Sequence, residues 1–208
     1  RGLNSGLADA HNIAWKLAWV LNGKAGPDLL DSYTPERRGA TLDVFRNASK
    51  SARFMTPPTA GWQLMRDAAL NLSLSHSFAG ELANPRQMTP YTYADSPVVT
   101  PDDENFEGGP KPGAVLPNAR VGDGFLSDLL GDGFSLIAFS KEVADRLADL
   151  DFTRVVLQPG SEASEVLAAS AGSAYLVRPD MHIAARWQTA STEAIRQALE
   201  LAVAGGKA

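Results

Sequence analysis

Apolar residues recur with helical period from the start of the chain. Ala10, Ile13, Ala14, Leu17, Ala18 and Leu21 fall at i, i+3, i+4, i+7, i+8 and i+11, which predicts an amphipathic helix over residues 4–22. Asn4 or Ser5 is placed to cap its start, and Gly23 stands where a left-handed residue closes a helix. Lys24-Ala25-Gly26-Pro27-Asp28 is turn chemistry, followed by the apolar pair Leu29-Leu30. Thr34-Pro35-Glu36 then supplies a capping hydroxyl, a proline at the first helical position and an acid in the first turn. The second helix runs to about Phe54, with Thr41, Phe45, Ala48, Ala52 and Met55 along one side, and Pro57-Pro58 ends it. A third, from about Thr59 to Leu74, is expected to bury Trp62, Met65, Ala68, Ala69 and Leu72.

The pattern breaks over residues 79–112. Gly80, Pro85, Pro90, Pro97, Pro101, Gly108, Gly109, Pro110 and Pro112 punctuate a stretch without sustained period, which predicts a linker laid over a surface. Beyond it, short apolar runs alternate with helical ones. Residues 134–139, 154–157, 174–177 and 182–187 read as strands, and 141–150 and 192–204 as helices. Arg178-Pro179-Asp180-Met181 joins the last two strands as a hairpin, with Met181 where a glycine is common. Gly-Asp-Gly-Phe occurs at 122–125 and again at 131–134, as two tight turns rather than a repeat. The order β-α-β, hairpin, helix is similar to the thioredoxin-like fold. The expected fold is therefore α/β overall. A helical segment over 1–78 is followed by a linker over 79–112 and a thioredoxin-like domain over 113–208 that lacks Cys-x-x-Cys.

Composition narrows the chemistry. The 208 residues are 44% apolar and 21% charged, ordinary globular usage. The absence of cysteine excludes disulfides, thiolate metal sites and dithiol redox chemistry. A net charge of −5 argues against nucleic acid or an anionic membrane as the main partner. No apolar run approaches the roughly 20 residues a membrane span needs, and a cytoplasmic location is expected. His11, His76 and His182 stand alone, so no metal site is expected. Neither a Gly-x-Ser-x-Gly elbow nor a phosphate-binding P-loop occurs.

The opening residues carry the most specific signal. Arg1-Gly2-Leu3-Asn4-Ser5-Gly6 feeds directly into a helix, so amides near Leu3 and Asn4 lack helical acceptors while Gly2 admits close approach. With the helix dipole, this is a place for an anion or an electron-rich carbonyl. Asp9 is placed either to orient this stretch or to face water. Trp15 and Trp19 read as core, Lys16 as paired with an acid or solvated, and Glu36 and Arg37 as helix-start charge and a structural ion pair.

The stretch Gly2–Asn12, followed by Ala14-Trp15-Lys16-Leu17-Ala18, resembles the second flavin-contacting motif of FAD-dependent aromatic hydroxylases. Leu29-Leu30-Asp31-Ser32-Tyr33 with Glu36-Arg37-Arg38 continues the resemblance. Pro112-Gly113, Asp123-Gly124, Leu129–Phe134 and Leu176-Val177-Arg178-Pro179-Asp180 are similar to the C-terminal domain of that family's phenol hydroxylase-like branch. The resemblance implies that Arg1, Gly2, Leu3 and Asn4 contact FAD, their amides facing the pyrimidine edge of the ring, where reduced flavin carries negative charge. It further implies NAD(P)H as reductant, a flavin C4a-hydroperoxide as oxidant and a small phenolic substrate, with a homodimer as the assembly. The glycine-rich dinucleotide-binding unit of such enzymes does not occur in this sequence. The chain is accordingly expected to be the C-terminal part of a longer hydroxylase, inactive without the FAD-binding half; no catalytic residue is assigned. The alternative is a non-catalytic thioredoxin-like module that docks on, or dimerises with, another protein. A peroxiredoxin would need a cysteine.

Overall fold

The structure, a computed structural model, describes residues 2–83 and 90–204. Helix α1 spans Gly2–Leu21, starting two residues earlier than its apolar stripe predicts. Asn4 and Ser5 therefore lie inside the first turn and do not cap it. Its end is as expected: Gly23 has φ +68°, and the Lys24 amide donates to Trp19 O at 2.8 Å across the left-handed turn. A 3₁₀ turn, Pro27–Ser32, leads into α2, Tyr33–Met55. Helix α3, Ala60–Ser73, is capped by Thr59, whose hydroxyl accepts from the Trp62 amide. A short α4, Ser77–Ala83, was not anticipated.

The C-terminal part is built on a mixed four-stranded sheet. Two short strands, β1 (Arg120–Val121) and β2 (Gly124–Phe125), first form a hairpin through Gly122 at φ +60°. The sheet proper comprises β3 (Ser135–Ala138), β4 (Thr153–Val156), β5 (Ala174–Val177) and β6 (Ile183–Trp187) in the order β4-β3-β5-β6. The β3–β4 pair is parallel; β3–β5 and β5–β6 are antiparallel. Helix α5 (Lys141–Asp145) crosses between the parallel strands, α6 (Glu162–Val166) precedes β5, and α7 (Thr192–Ala204) follows β6. The turn before β6 places Met181 at φ +64°, a conformation that suits the glycine common there.

Both faces of this sheet are buried, which is why its strands read as continuous apolar runs rather than alternating ones. Leu136, Ala138, Ala174 and Leu176 face a core shared with Trp15, Leu29, Val98, Phe134 and Ile195. Ile137, Val155, Tyr175 and Val177 face the opposite side, against Phe106, Leu126, Ala163 and Leu167. Trp15 and Trp19 of α1 both meet Phe134 edge to face, with centroids 5.7 and 5.1 Å apart.

Contacts group the chain differently from the expected domains. One compact unit is Arg1–Arg37 with Thr92–Ala208; the other is Arg38–Tyr91. Residues 92–112 do not lie over a surface as expected: Tyr93, Val98, Val99 and Phe106 are buried. Arg186 anchors this stretch by donating to Asp102 Oδ1 at 2.7 Å and to the carbonyls of Phe106, Gly108 and Pro110. The amides of Thr100 and Gly113 donate to the sheet-edge carbonyls of Ala184 and Ile183, and carbonyls of the stretch accept from that arginine, so proline and glycine content does not keep it out of the core. A second departure concerns α3. Of its expected buried stripe only Ala69 is buried, whereas Trp62, Met65, Ala68 and Leu72 are exposed.

Candidate functional site

Helix formation decides what the opening residues can do. Each helical amide donates to a carbonyl four residues earlier, so those of the first turn of α1 have no acceptor within the helix. Gly2, Leu3 and Asn4 lie in that turn and are exposed, Leu3 at 87%. Arg1, the fourth expected contact, lies outside the described residues. A Cβ built on Gly2 or Gly6 would meet nothing within 4 Å, leaving open space for a planar group to approach. Beside the turn, Asn4, Leu7, Ala8, Ala10, His11 and Ala14 line an open, largely apolar groove of about 630 Å³. Donor amides, the positive end of a 20-residue helix and an apolar flank fit one edge of a heteroaromatic ring that carries carbonyl groups.

The opposite face of α1 is held by a buried ionic network, which sequence reasoning found only in fragments. Glu36 is its centre. It accepts from Lys16 Nζ at 2.7 Å, Asn12 Nδ2 at 2.6 Å and Ser96 Oγ at 2.6 Å. Arg178 meets it with both terminal nitrogens, at 2.5 and 3.1 Å. Arg178 also grips Asp180 through Nε and Nη2, at 3.0 and 2.5 Å. The carboxylate of Asp180 accepts from Asn12 at 3.3 Å. The Arg178 guanidinium stands 5.3 Å from the centre of the Trp15 ring, and the Tyr93 ring stacks on His182 at 4.2 Å.

Asp9 neither orients the opening residues nor stands free in water. Instead it accepts from Arg37 Nε at 2.6 Å, while Arg37 Nη1 donates to the Tyr93 hydroxyl at 2.8 Å. The pairing expected for Lys16 is present, and its acid is Glu36.

Burial and charge pull against each other across this network. Burial raises the Glu36 carboxyl, but the Arg178 charge, its hydrogen bonds and Lys16 outweigh it and lower the group to about 2. Asp180, almost fully buried, is likewise held well below the carboxylate range by Arg178 and His182 despite its burial. Lys16 goes the other way from an ordinary paired lysine. Burial lowers it to about 8, assisted by the neighbouring Arg178 cation and only partly offset by Glu36. The asymmetry follows from sharing: Glu36 is surrounded by two cations, whereas Lys16 shares its anion with a second cation. A hint was present in the sequence, since Arg178-Pro179-Asp180 directly follows an apolar strand; α1 gave none, because Lys16 lies off its apolar stripe, and it is that stripe (Ala10, Ala14, Leu17, Ala18 and Leu21) that is exposed while Asn12, Trp15 and Lys16 are buried.

The first 48 residues match the family model described as FAD binding domain. Over 67 residues the chain is 45% identical to a 3-(3-hydroxy-phenyl)propionate/3-hydroxycinnamic acid hydroxylase of Klebsiella pneumoniae subsp. pneumoniae, covering 32% of this chain and 12% of that protein. A 2,4-dichlorophenol 6-monooxygenase of Delftia acidovorans is 28% identical across 96% of this chain and 44% of its own length. The chain is a relative of the FAD-dependent aromatic hydroxylases. Solved structures similar to it include the rebeccamycin biosynthetic enzyme RebC with reduced flavin, at TM-score 0.69 and 27% identity over all of this chain and 42% of that one. A ternary complex of aklavinone-11 hydroxylase with FAD and aklavinone matches at TM-score 0.64 and 26% identity, over 96% of this chain and 40% of that one. This hydroxylase relative spans less than half the length of the proteins it matches. No helix among its described residues is long and apolar enough to cross a membrane.

Proposed function

We propose that this chain forms part of an FAD- and NAD(P)H-dependent monooxygenase acting on a small phenolic substrate, and that Gly2, Leu3 and Asn4 hold the pyrimidine edge of the flavin. The observation that carries the reading is the FAD binding domain match over residues 1–48, which falls on a helix whose first turn is exposed and open beside Gly2. The first-turn amides would donate to the carbonyl side of the ring. Because α1 fixes their direction, they need no reorganisation as negative charge gathers on the group they hold. Leu3 and Leu7 would keep water from that edge. When bound, the flavin would supply hydride acceptance and dioxygen activation, which no side chain provides. A dinucleotide-binding half would complete the site.

Residues 1–78 are then the flavin-domain portion, 79–112 its connection and 113–208 a thioredoxin-like domain without redox cysteines. The strand order β4-β3-β5-β6, with one parallel and two antiparallel pairs, supports that last reading. Such a domain would serve packing or homodimer formation. Reconstitution is the test. Mixing the chain with FAD and a polypeptide carrying the dinucleotide-binding half of a related hydroxylase should give a yellow complex that oxidises NADPH when a phenol is added. A complex without flavin uptake would instead favour a non-catalytic docking module.

A further inference from the structure

We infer that Arg37 and Tyr93 are positioning residues for the flavin edge, and that through them the C-terminal domain aims the first-turn amides of Gly2, Leu3 and Asn4. This role depends on the flavin reading given above, and it gives the C-terminal domain a task that needs no cysteine.

A donor amide holds a ring edge only while it points along the bond, because a hydrogen bond weakens steeply off axis. Helix ends fray, and Gly2 and Gly6 flank the donors with a residue of low helix propensity. Arg37 grips the turn directly behind them. Its Nε donates to Asp9 Oδ1 at 2.6 Å and its Nη2 to the Ser5 carbonyl at 3.4 Å, about one helical turn apart. The remaining nitrogen, Nη1, donates to the Tyr93 hydroxyl at 2.8 Å. Every nitrogen of the guanidinium is thus engaged, and the side chain is only 10% exposed, so its direction is fixed by its partners.

Tyr93 in turn is seated on the sheet. Its amide donates to the Gly113 carbonyl at 2.9 Å, and the Gly113 amide donates to the carbonyl of Ile183, the first residue of β6, at 2.7 Å. Gly113 has φ +84°, and a Cβ there would stand 2.6 Å from the Tyr93 carbonyl, so glycine is what lets the two segments approach. The buried Tyr93 ring stacks on His182 and lies 5.5 Å from the Arg178 guanidinium.

A helix held at one point can pivot, whereas two points fix its direction. Glu36, the residue before Arg37, holds Asn12 and Lys16, and Lys16 is about 10 Å along the axis from Asp9. Both anchors lead to the β5–β6 turn, Glu36 through Arg178 and Arg37 through Tyr93 to His182. The Arg37 anchor is the one beside the donors, where a small misdirection costs most.

Two conservative variants test this. Tyr93→Phe removes the hydroxyl and keeps the stacked ring; Arg37→Lys keeps the charge and gives up the three-way grip. In the complex reconstituted with FAD and a dinucleotide-binding half, the readout is the midpoint potential of the bound flavin. Misaimed donors favour the reduced form less, so Tyr93→Phe should lower the potential by about 30 mV, a tenfold change for a two-electron couple, and Arg37→Lys by more. In the chain alone, amides of residues 7–13 should exchange with deuterium about tenfold faster in both variants, while those of β5 keep their rates. An unchanged potential despite faster exchange would make Arg37 a structural anchor only and overturn the inference. Equally faster exchange in β5 would show general loosening and overturn it too. A wild-type complex that takes up no flavin overturns the flavin reading and this role with it. A wild-type complex that holds flavin, with both variants at the same potential, overturns this role alone.

Discussion

The two compact units treat their helices in opposite ways. In Arg1–Arg37 with Thr92–Ala208, α1 presses Asn12, Trp15 and Lys16 into a core that also contains the sheet. In Arg38–Tyr91, the buried apolar residues among those described are Ala40, Ala69 and Ala79, while Phe45, Met55, Leu64 and Leu74 stay exposed. The apolar stripe marks the buried face in neither: Ala10, Ala14, Leu17, Ala18 and Leu21 of α1 are exposed, as are Trp62, Met65 and Leu72 of α3. What differs is the partner: the first unit supplies a sheet face and counter-charges, whereas the second, among its described residues, offers helices without a sheet. Burial therefore records what a helix meets as much as what it is made of, and charges enter a core only where opposite charges meet them.

That contrast breaks most sharply at Glu36. Replacing it with alanine strands Lys16 in the core, leaves Arg178 with Asp180 as its remaining acid, and should cost about 3–5 kcal/mol in denaturant unfolding; Glu36→Gln keeps the shape and isolates the charge. A loss below 1 kcal/mol would mean that the network is incidental to the first unit.

Next is acid. The folded-state value of Glu36, about 2, lies below its ordinary 4.5, so its contribution is complete above about pH 4.5 and is lost as pH falls towards 2. Asp180, depressed in the same direction, deepens the loss. Unfolding midpoints measured from pH 6 to pH 2 should fall mainly in that window, and the Glu36→Gln variant should show a shallower fall. A flat profile would contradict the lowered carboxyl groups.

The smallest effect sharpens the other side of the comparison. Leu74 is 84% exposed in the second unit, and Leu74→Ser should change stability by less than about 0.5 kcal/mol. A loss of several times that amount, read by thermal melting, would show that this surface is covered in solution.

Local features were the legible ones. The close of α1 at Gly23, the start of α3 near Thr59 and the strand Ala174–Val177 could be read because each rests on a few neighbouring residues. Residues 92–112 and the exposed stripe of α3 were misjudged, since composition and period do not report which surface a segment meets. For the candidate site, Gly2, Leu3 and Asn4 were nameable from their glycine-rich helix start, although the helix begins earlier than its apolar stripe suggests. Lys16, Glu36, Arg178 and Asp180 were visible as motif residues without a common role.

By itself, the sequence determined the period of its helices, the apolar runs of its sheet and a helix start rich in unpaired donors, because each depends on interactions spanning a few residues. Only the tertiary structure decided that Glu36 would meet Arg178 across 142 positions and that Asn12 would meet Asp180 across 168. Low-dielectric attraction acts through space rather than along the chain, so its partners become visible only once the chain has brought them together.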